Sequence, residues 1–371
     1  MASVLHSLKE IVSFIGVIFL LLIYLTILFT LGYSIPYVYP FHNNSLFSIP
    51  FYLAIPFPVS IFFLRDTAAY VWYLILSFTV FTSSAYLSYR GIIPYFRNFF
   101  KKPFGYRHNS FQDITELFSL SMFFTMLIYY ITILFGVKPA TIGIEKYPLW
   151  FQMLQLLHAA VYEELIVRVL FLGVPLFLVY KLKGDKISPL RIFGGGFKIG
   201  RWEMAFLLLS SVIFGLAHMT SWGIWKVIPA LVAGLALGYL FLRYGIFASI
   251  AFHFINDYLS IPMSLFPELV IPIGLITLYF LVAGLVFFIS YSIRIYHYFF
   301  PPHKVKKEVP PPPQPPWIKQ TWIDFHCPVC GGDVFQYVDE KHLRCLKCGT
   351  IIDISSYPEQ SNQSEKEDHL P

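Results

Sequence analysis

The sequence predicts an all-α polytopic membrane protein of about eight or nine transmembrane helices, followed by a small C-terminal β module that holds zinc. Three observations carry this. Only 13% of the 371 residues are charged and 57% are hydrophobic, whereas a soluble domain usually carries about 25% charged residues. Apolar runs of near 20 residues, the length that crosses a roughly 30 Å hydrocarbon core as helix, recur along the chain. All four cysteines fall within one short stretch near the C-terminus.

Nine spans are expected: Ile11–Tyr33, Phe47–Leu64, Ala68–Tyr89, Thr115–Gly136, Pro148–Tyr180, Trp202–Thr220, Lys226–Arg243, Ile246–Phe266 and Leu269–Tyr291. Pro50, Pro56 and Pro58 make Phe47–Leu64 a broken or re-entrant helix. Ile11–Tyr33 is too long for a removable signal peptide and lacks a small-residue cleavage site.

The formal charge of +6 is grouped and is no nucleic-acid signal. Basic residues gather at Arg90, Arg97, Lys101, Lys102 and Arg107, at Lys181, Lys183, Lys186, Arg191, Lys198 and Arg201, and at Arg294, Lys304, Lys306 and Lys307. An even number of crossings separates the groups, so they share one face. The positive-inside rule makes that face cytoplasmic and sets the N-terminus outside. If Phe47–Leu64 is not a crossing, only the N-terminus changes sides.

The chain divides into N-terminal helices (1–110), a hydrophobic core (111–300), a proline-rich extended linker (301–320), the cysteine module (321–352) and a polar, disordered tail (353–371). Gly194, Gly195 and Gly196 mark a flexible loop between the fifth and sixth spans. There is no internal repeat of the kind many transporters carry.

In "CPVCGG…RCLKCG" the pairs Cys327/Cys330 and Cys345/Cys348 each let two thiolates grip one ion from a tight turn. The intervening gap suits a β-hairpin that closes a four-thiolate zinc site. With four sulfurs the site is closed, so the metal is structural and holds together a module too small to fold on its core alone. Iron suits the same cage, and a cytoplasmic location disfavours disulfides.

Ionisable side chains are costly in a span, from about 2.5 to over 10 kcal/mol at the bilayer centre. "AVYEELIVRVLF" nevertheless holds Glu163, Glu164 and Arg168. Glu164 and Arg168 stand four apart on one helical face and neutralise each other, which leaves Glu163 without a local counter-ion. "SVIFGLAHMTS" brings His218 one turn after Phe214, and "IAFHFINDYLS" brings His253, with Asn256 and Asp257 on the same face. Meeting in the bundle interior is the economical way to satisfy all of them. Depth counting at 1.5 Å per residue sets Glu163 and His218 roughly 20–25 Å from the cytoplasmic ends of their spans but His253 only about 10–12 Å, a mismatch. Ala230, Gly234 and Gly238 form a small-residue stripe for close helix packing. His158 reads as structural.

The ordered set EExxxR (Glu163, Glu164, Arg168), FxxxH (Phe214, His218) and Hxxx[N/D] (His253, Asp257) resembles the CPBP intramembrane protease family. That family includes the type II CAAX prenyl endopeptidases and the bacteriocin-processing and lysostaphin-resistance proteins. The likeness covers roughly Leu149 to Phe266. It implies a helical membrane core that hydrolyses a peptide bond, with Glu163 as the residue that activates water, Glu164 and Arg168 as a supporting pair, and His218 and His253 as catalytic or metal-associated histidines. Asp257 stands where prenyl-endopeptidase relatives have asparagine. An ionised aspartate cannot donate to an oxyanion, so Asp257 is protonated, Asn256 takes that task, or the carboxylate does something else. Burial would tune Glu163 as a base; alternatively His218, His253 and a carboxylate hold a catalytic zinc. The sequence leaves both open.

The expected activity is thus cleavage of a membrane-associated, conceivably CAAX-type, substrate by activated water. A proton- or ion-coupled transporter and a non-catalytic scaffold of the same fold are the alternatives. The bilayer, a membrane-associated peptide or protein substrate and a cytoplasmic partner of the cysteine module are the expected partners, in a prokaryotic plasma membrane.

Overall fold

The computed structural model describes residues 2–54, 57–101, 109–139, 143–300, 326–339 and 341–355. The proline-rich linker, most of the tail, Lys102, Arg107, Lys304, Lys306 and Lys307 lie outside the described residues. The chain forms two compact units, Met1–Phe300 and Pro301–Pro371.

The first unit is a helical bundle. Its helices are α1 (Ala2–Val38), α2 (Asp66–Leu87), α3 (Ile93–Lys101), α4 (Ser110–Leu134), α5 (Leu149–Glu164), α6 (Val174–Leu182), α7 (Arg201–Ala217), α8 (Met219–Trp222), α9 (Val227–Tyr244), α10 (Ile246–Tyr258), α11 (Ser260–Leu265) and α12 (Val270–Phe299). A π-helical stretch, Leu165–Gly173, joins α5 to α6 without a break. Among the described residues, seven helical segments are long and apolar enough to cross a bilayer, so the chain is an integral multi-pass membrane protein.

Two expected spans take other forms. Phe47–Leu64 is not helical: it is an antiparallel hairpin of β1 (Ser48–Ala54) and β2 (Pro58–Arg65). The prolines explain this. Pro50 has no N–H, and its carbonyl faces α5 rather than β2, so the ladder loses nothing. Pro58 opens its strand. Ile246–Phe266 folds as α10 followed by the short α11, with Pro262 in the latter.

The hairpin is re-entrant. Gln155 Nε2 donates to Ser48 O at 2.9 Å, His158 Nε2 to Pro50 O at 3.0 Å and Tyr162 OH to Tyr52 O at 2.9 Å. Three side chains on one face of α5 thus satisfy the alternate carbonyls along the free edge of β1. Backbone groups inside a membrane have to be met by protein in this way. His158 is structural, as its spacing suggested: with Nε2 donating, Nδ1 accepts from Trp72 Nε1 at 3.2 Å. Tyr52 ends the run 14 residues into the α5 segment, about 20 Å along the helix from Leu149.

The described members of the basic groups, within residues 90–101, within residues 181–201 and at Arg294, share one end of the bundle. Asp113 at the start of α4 accepts from Tyr239 and Tyr244 near the end of α9 (3.1 and 2.7 Å). Lys9 pairs with Glu116 at 3.0 Å, both buried, and Tyr291 of α12 donates to Glu116 at 2.6 Å. Asn109 Nδ2 reaches Gly91 O at 2.9 Å, beside Arg90. The start of α1 therefore lies at the basic end, not across from it, because the hairpin turns back instead of crossing.

The loop of three glycines is not flexible. Gly195, Gly196 and Phe197 donate backbone N–H groups to Phe241, Arg243 and Leu242 at 2.8–3.0 Å. Gly194, Gly195 and Gly196 take φ of 81°, 83° and 69°, which a side chain would strain. A Cβ on Gly173 would overlap the carbonyl of Ile192, so the same loop rides against the end of the π-helical stretch. This narrows the depth mismatch between two of the three residues: measured from Gly173, Glu163 lies about 15 Å in, and from Gly245, His253 lies about 12 Å in, while His218 stays about 25 Å from the start of α7.

The second unit has a three-stranded antiparallel sheet, ordered β3 (Phe335–Asp339), β4 (His342–Cys345), β5 (Ile351–Asp353).

Candidate active site and cysteine cluster

Glu163 and Glu164 end α5, where the π-helical stretch begins. Wide turns of this kind recur at functional sites. Glu164 and Arg168 are wholly buried, with Arg168 Nε 3.4 Å from Glu164 Oε2. Arg168 NH1 also donates to Ser210 Oγ at 3.3 Å, and its guanidinium lies 5.1 Å from the Phe214 ring. α10 lies against α5 and brings Ser249, which donates to Glu164 Oε2, and His253, whose Nδ1 is 3.0 Å from Glu164 Oε1. Both carboxylate oxygens of Glu164 are thereby engaged.

The other nitrogen of His253 looks outward. Nε2 is 3.3 Å from Asp257 Oδ2 and 3.9 Å from Glu163 Oε2. Carboxylates accept only, so an imidazole with one on each nitrogen carries N–H on both sides. Glu163 Oε1 accepts from Tyr52 OH at 2.8 Å. Glu163 and Asp257 keep 18% and 27% of their side-chain surface exposed, against 6% for His253.

A cavity of about 180 Å³ opens beside this cluster, lined by His253, Asn256 and Asp257 of α10, by Phe214 of α7 and His218 just after it, by Ser121 and Thr125 of α4 and by Lys226 ahead of α9. His218 Nδ1 meets the carbonyl of Phe214 at 2.8 Å. Nδ1 therefore carries a proton, and in the neutral ring Nε2 is the nitrogen with the lone pair. The Phe214 ring is 4.6 Å from the His218 ring and 5.8 Å from that of His253.

The structure thus joins Glu163, Glu164, Arg168, His253 and Asp257 in direct contact, while Asn256 and His218 reach the same cavity. Among the described residues, His218 makes no ion pair or hydrogen bond with the others. Sequence reasoning missed Tyr52, Ser210, Ser249 and Lys226. Hydroxyls in apolar helices cost little and give no signal, and Tyr52 lies in a stretch assigned to another span.

Among the described residues, the four cysteines are the one group of three or more His, Cys, Asp or Glu whose ligand atoms all come within 4.8 Å of one another. The sequence left open a catalytic metal on His218, His253 and a carboxylate; among the described residues these groups do not bring three ligand atoms within 4.8 Å of one another as the cysteines do.

The cysteines do fit an ion. Cys327 and Cys348, like Cys330 and Cys345, have sulfurs 3.6 Å apart. A disulfide needs about 2.05 Å, whereas tetrahedral Zn–S bonds of about 2.3 Å separate sulfurs by about 3.8 Å. Gly331 and Gly349, at φ of 65° and 76°, curl each CxxC turn so that their N–H groups return to Cys327 O and Cys345 O at 2.8 Å. Thr350, through its hydroxyl and its N–H, holds the Cys348 thiol down to about 6, and the thiolate is the ligating form.

Residues 145–259 match the family model described as type II CAAX prenyl endopeptidase Rce1-like. The matched segment holds all seven intramembrane candidates and excludes α1 to α4, the hairpin and the cysteine unit. That family is one of CAAX-type intramembrane proteases. No curated protein and no solved structure matches the chain.

Proposed function

From a segment matched to CAAX-type endopeptidases and carrying every intramembrane candidate, we propose that this protein is a glutamate-type intramembrane endopeptidase. Glu163 takes a proton from water, and the hydroxide attacks the scissile carbonyl. Glu163 then returns that proton to the leaving amine as the C–N bond breaks, so one water is consumed and the enzyme is regenerated. His253, held as an imidazolium between Glu164 and Asp257, supplies positive charge beside the developing oxyanion, and the Asn256 amide donates to it. Asp257 is the counter-ion of His253 and not an oxyanion donor, which is how this chain accommodates an aspartate there. His218 offers its free Nε2 lone pair to the water. Arg168 neutralises Glu164. The contact of His253 with three carboxylates is the observation that carries this reading.

The basic end faces the cytoplasm by the positive-inside rule. The substrate is a membrane-associated protein whose cleaved segment reaches the cavity. The test is purified protein in liposomes with a membrane-anchored, CAAX-terminated reporter peptide, with internal pH followed in parallel. Wild type cleaves and His253→Ala does not, at equal insertion. Proton flux without cleavage would establish the transporter instead.

The cysteine unit holds one zinc ion as a structural clamp. Purified full-length protein carries one zinc per chain, and Cys345→Ser carries none. A strong chelator exposes the amides of β4 to hydrogen exchange but leaves those of α4 and α12 protected, because the metal replaces a core that this unit lacks. Zinc retained in Cys345→Ser contradicts the assignment.

A further inference from the structure

Tyr52 lies outside the segment that matches the protease family, yet it touches the carboxylate on which the proposed chemistry turns. The route is unusual. The ladder between β1 and β2 shifts register between Phe51 and Tyr52, so that Tyr52 faces Ser60. Bulges of this kind re-aim a side chain. Tyr162 OH pins the carbonyl of Tyr52 at 2.9 Å, while the phenol of Tyr52 itself donates to Glu163 Oε1 at 2.8 Å. Tyr52 is therefore tied to α5 at two points, its carbonyl to Tyr162 and its phenol to Glu163.

A glutamate that keeps 18% of its side-chain surface exposed has rotamers to lose, and a base has to present one oxygen steadily to water. Oε1 is engaged by the phenol and Oε2 lies 3.9 Å from His253 Nε2. We infer that Tyr52 is a positioning residue for hydrolysis: the re-entrant hairpin delivers a phenol that locks the Glu163 carboxylate, with Oε2 turned to the water and His253. The phenol stays protonated throughout. This role rests on Glu163 acting as the base.

The experiment compares wild type, Tyr52→Phe, Tyr52→Ala and Glu163→Gln in full-length protein, with kcat and KM for the anchored reporter measured against pH. Tyr52→Phe keeps the ring and its packing and removes one hydroxyl. A hydrogen bond to an ionised group is among the stronger kinds, so kcat is expected to fall about tenfold with KM unchanged. A donor to the ionised form favours that form, so its loss moves the acid limb of the pH–rate profile to higher pH. Tyr52→Ala moves the limb the same way, with a larger loss of kcat. A phenol that only fills space would leave the Phe variant superimposed on wild type at every pH. That result, with Glu163→Gln inactive, overturns the role of Tyr52 alone. Undiminished cleavage by Glu163→Gln overturns the base reading and this role with it.

Discussion

Glu163→Gln is expected to lower cleavage by about 10³-fold, within the 10²–10⁴ range that a general base contributes. The substitution is nearly isosteric, and Tyr52 can donate to the amide oxygen as it does to the carboxylate. The protein should therefore insert and unfold thermally as wild type does, and the loss should lie in kcat. The assay is release of the reporter peptide by purified protein in liposomes. Retained turnover would show that another group activates the water.

Arg168→Met is expected to be the most damaging single change to stability, by about 3–5 kcal/mol, the usual cost of stranding one partner of a buried ion pair. Arg168 and Glu164 are both fully buried. Removing the guanidinium leaves Glu163, Glu164 and Asp257 to share the single positive charge of His253, with Glu164 itself wholly buried. Thermal unfolding in detergent should shift strongly downward. Adding Glu164→Gln in the same chain removes the stranded charge and should restore a large part of the loss. Arg168→Lys is not expected to rescue, because an ammonium cannot serve Glu164, Ser210 and the Phe214 face together. Equal unfolding temperatures for wild type and Arg168→Met would mean that Glu164 is not charged.

The legible parts of this protein were the expensive ones. Glu163, Glu164, Arg168, His253 and Asp257 stand out in sequence because charge in an apolar run needs a reason, and they do meet. The CxxC pairs announce themselves in the same way. The hairpin was not legible as strands, because alternation is visible only where one face is polar. Val59, Ile61, Phe62 and Phe63 are all apolar and exposed on β2, so the stretch has the composition of a span and none of the rhythm of a strand. Only its prolines gave warning. The depth of Glu163 could not be counted from sequence, since the loop before α7 packs against Gly173, inside the expected span, and moves the origin of the count.

Gln155, His158 and Tyr162 carry a lesson for reading other membrane chains. An amide, an imidazole and a phenol repeating three and then four residues apart on an otherwise oily rod would usually be taken for a proton path or a helix dimer seam. In this protein they are the imprint of a neighbouring strand, spaced to its every second carbonyl. Such a stripe, found in a sequence that also holds a proline-punctured greasy segment too short to span twice, is a fingerprint by which a buried ribbon can be suspected before any coordinates exist.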